Sequence, residues 1–294
     1  MRIEIKCKII TPLLIHGVDS QTVELRPPSI KGVMRFWWRA IHSNLPIDKL
    51  REREAEIFGD TKRKSSFRIK VNETNLNDIR YFKLLLYEKE VEAEIRRKEP
   101  KIREDALERK LKKYKKTKSQ GYKPNQTFKI ELTGKDLEQI KNIFILSTIL
   151  GGFGQRSRRG FGSIKIIEIR DKDNKQVNFD YPLNKNSIEE FIRDKINRKF
   201  NFSSKNSRHD FKSYPFIREI NIGKEYNDYN ELLKKIGLAT HKYPKFGKAN
   251  PRFASPILVS IIEKNNKYRP IITTLNSTQP IPFRDIDNFK KAIQ

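Results

Sequence analysis

The sequence predicts an α+β fold of two tandem domains, and three observations predict it: hydrophobic periodicity, the order of the elements and the chain length. Outside a charged segment at about 72–126, residues 1–170 follow the order strand, helix, strand, strand, helix, strand. This βαββαβ order is that of a ferredoxin-like (RRM-like) domain. A chain of 294 residues also has room for a second domain. We therefore expect a ferredoxin-like domain at 1–170, with an insertion at about 72–126, and an α+β, ferredoxin-like domain at 171–294.

Local patterns define the elements of the first half. Apolar and charged residues alternate from Arg2 to Ile10, which is typical of a strand with one buried face. Ser29 stands where an N-cap belongs, so the pattern predicts a helix from Ile30 to about Asn44. The remaining elements are expected as a helix at 49–58, a strand at 66–71, an ambiguous apolar run at 81–87, a strand at 128–132, a helix at 135–150 and a strand at 163–170.

The insertion contains a charged segment of helical composition at 88–118. Residues 88–95 hold four acids and one base, whereas residues 101–118 hold nine bases and three acids. Large apolar residues are few in this segment. We therefore expect either one thin amphipathic helical hairpin or a stretch without fixed packing.

The second half repeats the alternation of helices and strands more weakly. Its last two strands are expected to form a hairpin around the polar turn Lys264–Lys267. The elements are expected as a helix at 187–200, a strand at 216–222, a helix at 229–238 and strands at 257–263 and 268–275.

The composition is strongly basic. The chain holds 63 Lys and Arg against 36 Asp and Glu, which gives a formal net charge of +27. A charge of this size repels itself unless a polyanion offsets it, so nucleic acid is the first candidate partner. A thermophile-like surface would raise the acids together with the bases, and the acids are too few for that. A basic scaffold that binds acidic protein partners remains open.

Several classes of protein are not favoured. The single cysteine, Cys7, excludes a disulfide framework, and the histidines His16, His42, His209 and His241 lack metal-ligand spacing. No motif for a cofactor is present. The apolar run at 143–150 is far shorter than the ~20 residues of a membrane span, and the N-terminus alternates like a strand and not like a signal peptide. We expect a cytoplasmic protein without metal or cofactor and without a membrane segment.

The first predicted helix carries two distinct faces. One apolar face, expected to enter the core, holds Ile30, Val33, Met34, Trp37 and Ile41. The other narrow face holds Lys31, Arg35, Trp38 and His42, with Arg39 beside it. Basic side chains around an indole suit a phosphate backbone with one base stacked on the ring, and Gly32 would let that backbone approach closely. The alternative is a solvated charged face with Trp38 covered by a neighbour.

A glycine-rich loop at 151–162 is the second candidate site. It contains five of the thirteen glycines, three arginines, two phenylalanines and no acid. Backbone amides of such loops bind phosphates, and one arginine can donate two parallel hydrogen bonds to a phosphate. It is neither a Walker loop nor a dinucleotide loop, because a strand follows it instead of a helix. Its candidate RNA-binding residues are Gly152, Phe153, Gly154, Arg156, Arg158, Arg159 and Phe161, the two phenylalanines either stacking on bases or folding back under the loop.

Two histidines keep a catalytic alternative open. His16 lies in the loop after the first strand, and His42 lies near the end of the first helix. Either could act as a general base in metal-free RNA cleavage through the 2′-hydroxyl. A second group must converge on the same phosphate for this chemistry, and spacing along the sequence does not show one.

Four motifs together resemble a known family. They are Pro28–Gly32 (PSIKG), Arg35–Arg39 (RFWWR), Ile57–Gly59 (IFG) and the glycine-rich loop at 151–162. With them the chain resembles the RAMP superfamily, and within it the family of first subunits of type III-B (Cmr-type) CRISPR effector complexes. The likeness covers about 1–70 and 127–170 and is thin elsewhere.

The resemblance implies a function. It implies tandem ferredoxin-like domains and a non-catalytic, RNA-binding subunit that acts in antiviral defence near the 3′ end of a guide RNA and helps to capture target RNA. The implied partners are guide RNA, single-stranded target RNA and other RAMP subunits. The superfamily also contains metal-independent endoribonucleases that process guide RNA, so that activity remains the alternative.

Overall fold

A computed structural model describes residues 2–19, 21–73, 75–179, 181–200, 214–243, 254–276 and 283–294. Histidine 209 lies outside these ranges. The elements of the first half are β1 (Arg2–Ile9), α1 (Pro27–Ala40), α2 (Ile47–Phe58), β2 (Phe67–Asn72), β3 (Ile79–Lys83), α3 (Glu88–Lys98), α4 (Glu104–Lys116), β4 (Lys118–Tyr122), β5 (Thr127–Gly134), α5 (Leu137–Leu150) and β6 (Ile164–Arg170). Those of the second half are α6 (Lys185–Lys195), β7 (Ile217–Ile222), α7 (Tyr229–Lys242), β8 (Ile257–Lys264), β9 (Lys267–Leu275) and α8 (Phe283–Ile293).

The first half forms a four-stranded antiparallel sheet in the order β2-β5-β1-β6. Ile5 of β1 stands opposite Ile130 of β5 and Ile169 of β6, so the apolar residues of neighbouring strands share the buried face. With the insertion set aside, the order is β1-α1-α2-β2-β5-α5-β6, which is βαββαβ with one additional helix, α2, before β2. The predicted βαββαβ order of elements is therefore confirmed for this half.

Helix α1 begins earlier and ends earlier than predicted. Its N-cap is Arg26, the residues Pro27 and Pro28 form its first turn, and it ends at Ala40. The prediction that Ser29 caps the helix is wrong because Pro27 and Pro28 already form its first turn. The first N–H groups of a helix have no intrahelical partner, so proline is accepted there.

Helix α5 lies between the two sheets and joins them into one core. Eleven of its fourteen residues are buried, and it packs against β5 and β6 on one side and against β8 and β9 on the other. The hydroxyl of Ser260 in β8 donates to the carbonyl oxygen of Ile149 at 2.5 Å. A helix that is apolar on every side belongs in an interior, which explains the apolar run at 143–150. In the described part of the chain, no helix is both long and apolar enough to cross a membrane.

The second half contains a three-stranded antiparallel sheet in the order β7-β9-β8. Helix α7 connects β7 to β8, and α8 follows β9 and packs against α7. The mixed, antiparallel α+β character predicted for this half is confirmed. Its description as a second ferredoxin-like domain, and the boundary near residue 170, stay predictions.

The insertion is a helical hairpin carried on a two-stranded ribbon. Strands β3 and β4 pair with each other, and α3 and α4 extend from them. Tyr87, Val91, Leu107 and Leu111 form a small core of their own, and Leu238 of α7 packs against it. Of the two possibilities expected for residues 88–118, the thin amphipathic hairpin is the one observed.

Candidate nucleic-acid interface

Trp38 lies inside the protein and not on the surface of α1. Its side chain is 1% exposed. The ring of Phe58 in α2 meets it edge-on with centroids 6.3 Å apart, and the ring of His42 stacks on it at 4.3 Å. The prediction of an exposed indole for base stacking is therefore wrong. The alternative, that a neighbour covers Trp38, is correct because α2 folds back over this side of α1.

The solvent-facing side of α1 is rotated from the predicted basic face. It consists of Pro28, Gly32, Arg35, Phe36 and Arg39, which we call the α1 stripe. Pro28 and Gly32 are exposed, and the other three are half-buried. Apart from its own helix, no described heavy atom lies within 4 Å of the place where a Cβ on Gly32 would stand. The stripe thus combines two guanidinium groups, one aromatic ring and an open stretch of helix backbone.

Arg35 serves the protein's own structure. Its Nη2 donates to the carbonyl oxygens of Phe58 at 3.1 Å and Gly59 at 2.7 Å, and its Nε lies 3.2 Å from a carboxylate oxygen of Glu54. The last carbonyls of a helix lack intrahelical partners, so Arg35 satisfies the C-terminus of α2. The RFWWR and IFG motifs of the sequence therefore meet where the Arg35 side chain binds the C-terminus of α2.

Lys31 and Arg39 lie beside this Arg35 contact, and they differ in how far their charged groups are available to a ligand. The ammonium of Lys31 lies 4.5 Å from the ring centroid of Phe67, and burial first, then the neighbouring Arg35, lowers its pKa. Arg39 is half-exposed, and its Nη1 is 3.6 Å from the second carboxylate oxygen of Glu54. Glu54, a residue that the sequence patterns did not single out, thus holds both arginines of the stripe. The side chains of Arg35 and Arg39 are exposed to a similar extent, 34% and 38%, but Arg39 makes the longer ion pair with Glu54.

The backbone of the glycine-rich loop is packed against protein on both sides. Gly162 has a φ of 67°, and a Cβ there would lie 1.9 Å from the carbonyl oxygen of Phe153. The loop amides of Gln155 and Gly160 donate to the carbonyl oxygens of Leu14 and Val259. These amides are occupied by the protein itself, so the phosphate cradle expected from the glycine pattern is not formed by them. The same packing leaves Gly152 buried and Gly154 exposed.

The two phenylalanines of this loop fold beneath it. Phe153 and Phe161 are both buried, Phe153 with its ring centroid 6.3 Å from that of Phe144 in α5. Phe161 packs in the cluster of α7 and β8 side chains. Of the two roles left open by the sequence, folding back under the loop is the one observed.

The arginines of the loop reach into the second half of the chain. Arg158 Nη1 donates to the carbonyl oxygen of Ser255 at 2.5 Å, and Arg159 Nη1 donates to that of Ile257 at 2.8 Å. Burial, followed by the charges of Arg158 and Arg156, lowers the pKa of Arg159 to about 10. Burial also lowers the pKa of Arg156 and that of Arg158. Arg158 and Arg159 therefore hold the two halves together, and only Arg156 makes no such bond among the described residues.

The loop and α1 nevertheless meet. The guanidinium carbon of Arg158 lies 5.5 Å from the ring centroid of Phe36 in the α1 stripe. On the inner side, Gly151 comes so close to α1 that a Cβ would lie 2.4 Å from Trp37 Nε1. The two motifs that the sequence singled out thus converge on one surface. Phe36 was missed as a candidate, although it stands between Arg35 and Trp37 in the motif.

His42 is poorly placed to act as a general base. His42 is buried, its Nδ1 is 2.6 Å from the carbonyl oxygen of Trp38, and burial lowers its pKa more than this hydrogen bond raises it. His16 is half-buried in a short hairpin arm, where its backbone pairs with that of Val23. Across the described ranges, no group of three His, Cys, Asp or Glu side chains could hold a metal ion.

The fold, together with the contact between α1 and the glycine-rich loop, indicates the class of protein. The family model of the RAMP superfamily matches residues 6–165, which include β2, β5, α1, the glycine-rich loop and parts of β1 and β6. The chain belongs to the RAMP superfamily.

Two curated relatives show which members of the superfamily this chain is similar to. The chain is 30% identical over 178 residues to the CRISPR system Cmr subunit Cmr1-2 of Pyrococcus furiosus, covering 55% of this chain and 93% of that protein. It is 29% identical over 304 residues to subunit Cmr1-1 of the same organism, covering 90% of this chain and 84% of that protein. The resemblance to first subunits of type III-B complexes is therefore confirmed.

Solved structures share the fold. The crystal structure of Cmr1 from Pyrococcus furiosus in its apo form aligns with a TM-score of 0.62 at 23% identity, covering 100% of this chain and 96% of that one. A chain in the cryo-EM structure of the type III-B Cmr-beta complex bound to cognate target RNA aligns with a TM-score of 0.60 at 14% identity, covering 100% and 99%.

Proposed function

We propose that this chain is a non-catalytic, RNA-binding subunit of a type III-B CRISPR effector complex, built from two tandem ferredoxin-like domains. Membership of the RAMP superfamily and the likeness to Cmr subunits support this proposal. A related chain belongs to a complex that was solved with target RNA. In such a complex, the subunit would act in the cytoplasm near the 3′ end of the guide RNA and help to capture target RNA alongside other RAMP subunits.

The observation that carries the proposal for the site is Gly32. Glycine in a helix interior costs about 0.5–1 kcal/mol relative to alanine. Nothing in the described fold requires glycine here, since a Cβ would stand in open space. A ligand backbone that approaches the helix closely would require it. The proposed RNA path therefore crosses α1 at Gly32, with Arg39 beside it.

The surroundings of Gly32 suit RNA better than an acidic protein. Arg39 presents a guanidinium that can donate two parallel hydrogen bonds to a phosphate, and the guanidinium carbon of Arg158 lies 5.5 Å from the ring centroid of Phe36 at the edge of the stripe. Flat guanidinium and aromatic groups stack with unpaired bases. The net charge of +27 adds a long-range attraction for any polyanion. RNA contacts of Lys31, Arg39 and Arg156 stay predictions.

The setting of His42 supports a non-catalytic role. A general base must come within hydrogen-bond reach of the proton that it removes. The imidazole of His42 is stacked on Trp38 in the interior, and its Nδ1 is already bonded to a backbone carbonyl. An RNA 2′-hydroxyl could reach this ring only if α1 and α2 separated.

A salt titration of RNA affinity tests the proposal. Fluorescence anisotropy of a labelled 20-nucleotide single-stranded RNA would compare the parent chain with Arg39→Ala and with Arg284→Ala, an exposed arginine of α8. Loss of one phosphate contact should weaken binding and lower the salt slope by about one unit for Arg39→Ala only. Equal effects of the two substitutions would contradict the site. Failure of the parent to bind at ~0.15 M salt would contradict RNA binding and favour the scaffold.

A further inference from the structure

The β3–β4 ribbon presents an exposed aromatic ring on a rigid surface. Tyr81 is 69% exposed and Ile79 is 44% exposed. Both belong to β3, where alternate residues point to opposite faces, and Phe82 turns inward to pack against the cluster of α7 and β8 side chains. The outer face of β3 therefore consists of Ile79, Tyr81 and Lys83. Pairing along five positions with β4 holds this face in place.

The same face carries opposed positive charges. Lys83 of β3 stands directly opposite Lys118 of β4, and Tyr81 stands opposite Gln120. Like charges directly opposite each other destabilise an antiparallel pair unless an anion lies between them. Lys83 has Glu88 at 3.3 Å, whereas no described residue forms an ion pair with Lys118. One cation next to the ring is thus left for an external anion.

We propose that the outer face of this ribbon binds single-stranded RNA, with an unpaired base stacked on Tyr81 and a neighbouring phosphate bound by Lys118. Aromatic rings in basic grooves bind single strands in this way, because every base has a face that can stack. The inference rests on the proposed function for the nature of the ligand. It adds a contact surface outside the α1 stripe and the glycine-rich loop.

Charge complementarity favours RNA over a protein partner on this face. Lys83 and Lys118 occupy the next positions along the outer face from Tyr81 and Gln120, and among the described residues Glu88 is the one carboxylate paired with either lysine. A protein-docking surface would extend the apolar patch beyond two side chains. Here lysines follow immediately after Tyr81 along the outer face.

Substitutions at position 81 test the stacking contact in the full chain. Because the stacked base loses its contact with the ring, Tyr81→Ala should lower the affinity for a labelled 20-nucleotide oligouridine about tenfold. Tyr81→Trp should keep the affinity, since the larger ring still stacks. Val18→Ala, which removes an exposed apolar side chain from the hairpin arm, is the matched control and should change nothing. Binding of a duplex RNA of the same length should not depend on residue 81.

A photochemical readout locates the contact. With 5-iodouridine in the oligonucleotide, irradiation should crosslink the RNA to β3 at residue 81 in the parent and in Tyr81→Trp. Unchanged affinity in Tyr81→Ala, with no crosslink in β3, would overturn this inference and leave the proposed function intact. Loss of co-purifying subunits at unchanged RNA affinity would also overturn it and assign the face to a protein. Absence of RNA binding by the parent would overturn the proposed function, and this inference with it.

Discussion

The guanidinium of Arg159 donates to the carbonyl oxygen of Ile257 across 2.8 Å, and this bond ties the glycine-rich loop to the first residue of β8. Backbone hydrogen bonds connect the same two segments: Gly160 N donates to the carbonyl oxygen of Val259, and Val259 N donates to that of Arg158. A loop that reads as a phosphate-binding motif is thus the structural connection between the two halves.

Arg159→Ala should destabilise the chain. The substitution removes one of two side-chain donors to the carbonyl oxygen of Ile257, leaving the Ser255 hydroxyl at 3.0 Å, and removes a half-buried side chain, which costs about 1–2 kcal/mol. Urea unfolding followed by circular dichroism measures this loss. Arg284→Ala, on the exposed side of α8, should stay within about 0.5 kcal/mol of the parent. Equal stability of the two variants would contradict the role of Arg159 as a joint.

Substitution of Arg35 should lower the stability of the fold more than substitution of Arg39, which we place in the RNA-binding site. Arg35→Ala removes two hydrogen bonds to the end of α2, so we expect a loss of about 1–2 kcal/mol in unfolding free energy, reduced by its partial exposure. Arg39→Ala removes only a longer ion pair and should cost less than about 1 kcal/mol. The same urea series checks both. A larger loss for Arg39→Ala would contradict this division.

His42 should make the stability depend on pH. Burial lowers its pKa below the ordinary value of 6.5, so the unfolded chain binds this proton more readily than the folded chain. The contribution of neutral His42 is therefore complete above pH 6.5 and decreases as the pH falls through that value. Urea midpoints at pH 8, 7, 6 and 5 should fall more steeply in the parent than in His42→Leu. Parallel pH profiles would show that His42 is not the group responsible.

Asp19 should titrate well below its ordinary value. Its carboxylate accepts from the hydroxyl and amide of Thr22 and from the amide of Gln21, which lowers its pKa to about 2 from 3.8. These bonds are complete above pH 3.8 and are lost as the pH falls through about 2. The amide chemical shifts of Gln21 and Thr22 should report this titration. A midpoint near 3.8 would mean that the arm tip is not ordered as described.

Local patterns predicted the first sheet correctly, and the reason is visible in β1. Ile3, Ile5 and Cys7 alternate with charged residues and all enter the core, so one short strand already shows which face is buried. The periodicity of α1 also predicted its core positions. It wrongly placed Trp38 on the exposed basic face. The indole is covered by a tertiary contact with Phe58 of α2, which the periodicity of α1 alone does not show.

The glycine-rich loop shows a limit of motif reasoning. Glycines and arginines allow a close approach of backbone and supply forked donors, whether the partner is a phosphate or a carbonyl group. The partner here is β8, about a hundred residues further along the chain, and no local pattern could identify it. Tyr81 lay in an ambiguous apolar run for the same reason, since its exposure depends on the pairing of β3 with β4.

The effect of Gly32→Ala on stability and on RNA affinity tests the central claim most directly. Because the new Cβ meets open space, the free energy of unfolding should stay the same or rise by up to about 1 kcal/mol. Asn186→Ala in α6 is the matched control for helix propensity and should leave RNA affinity unchanged. If RNA crosses α1 at Gly32, the affinity of Gly32→Ala for single-stranded RNA falls while its stability does not. An affinity equal to that of the parent would contradict the proposed interface.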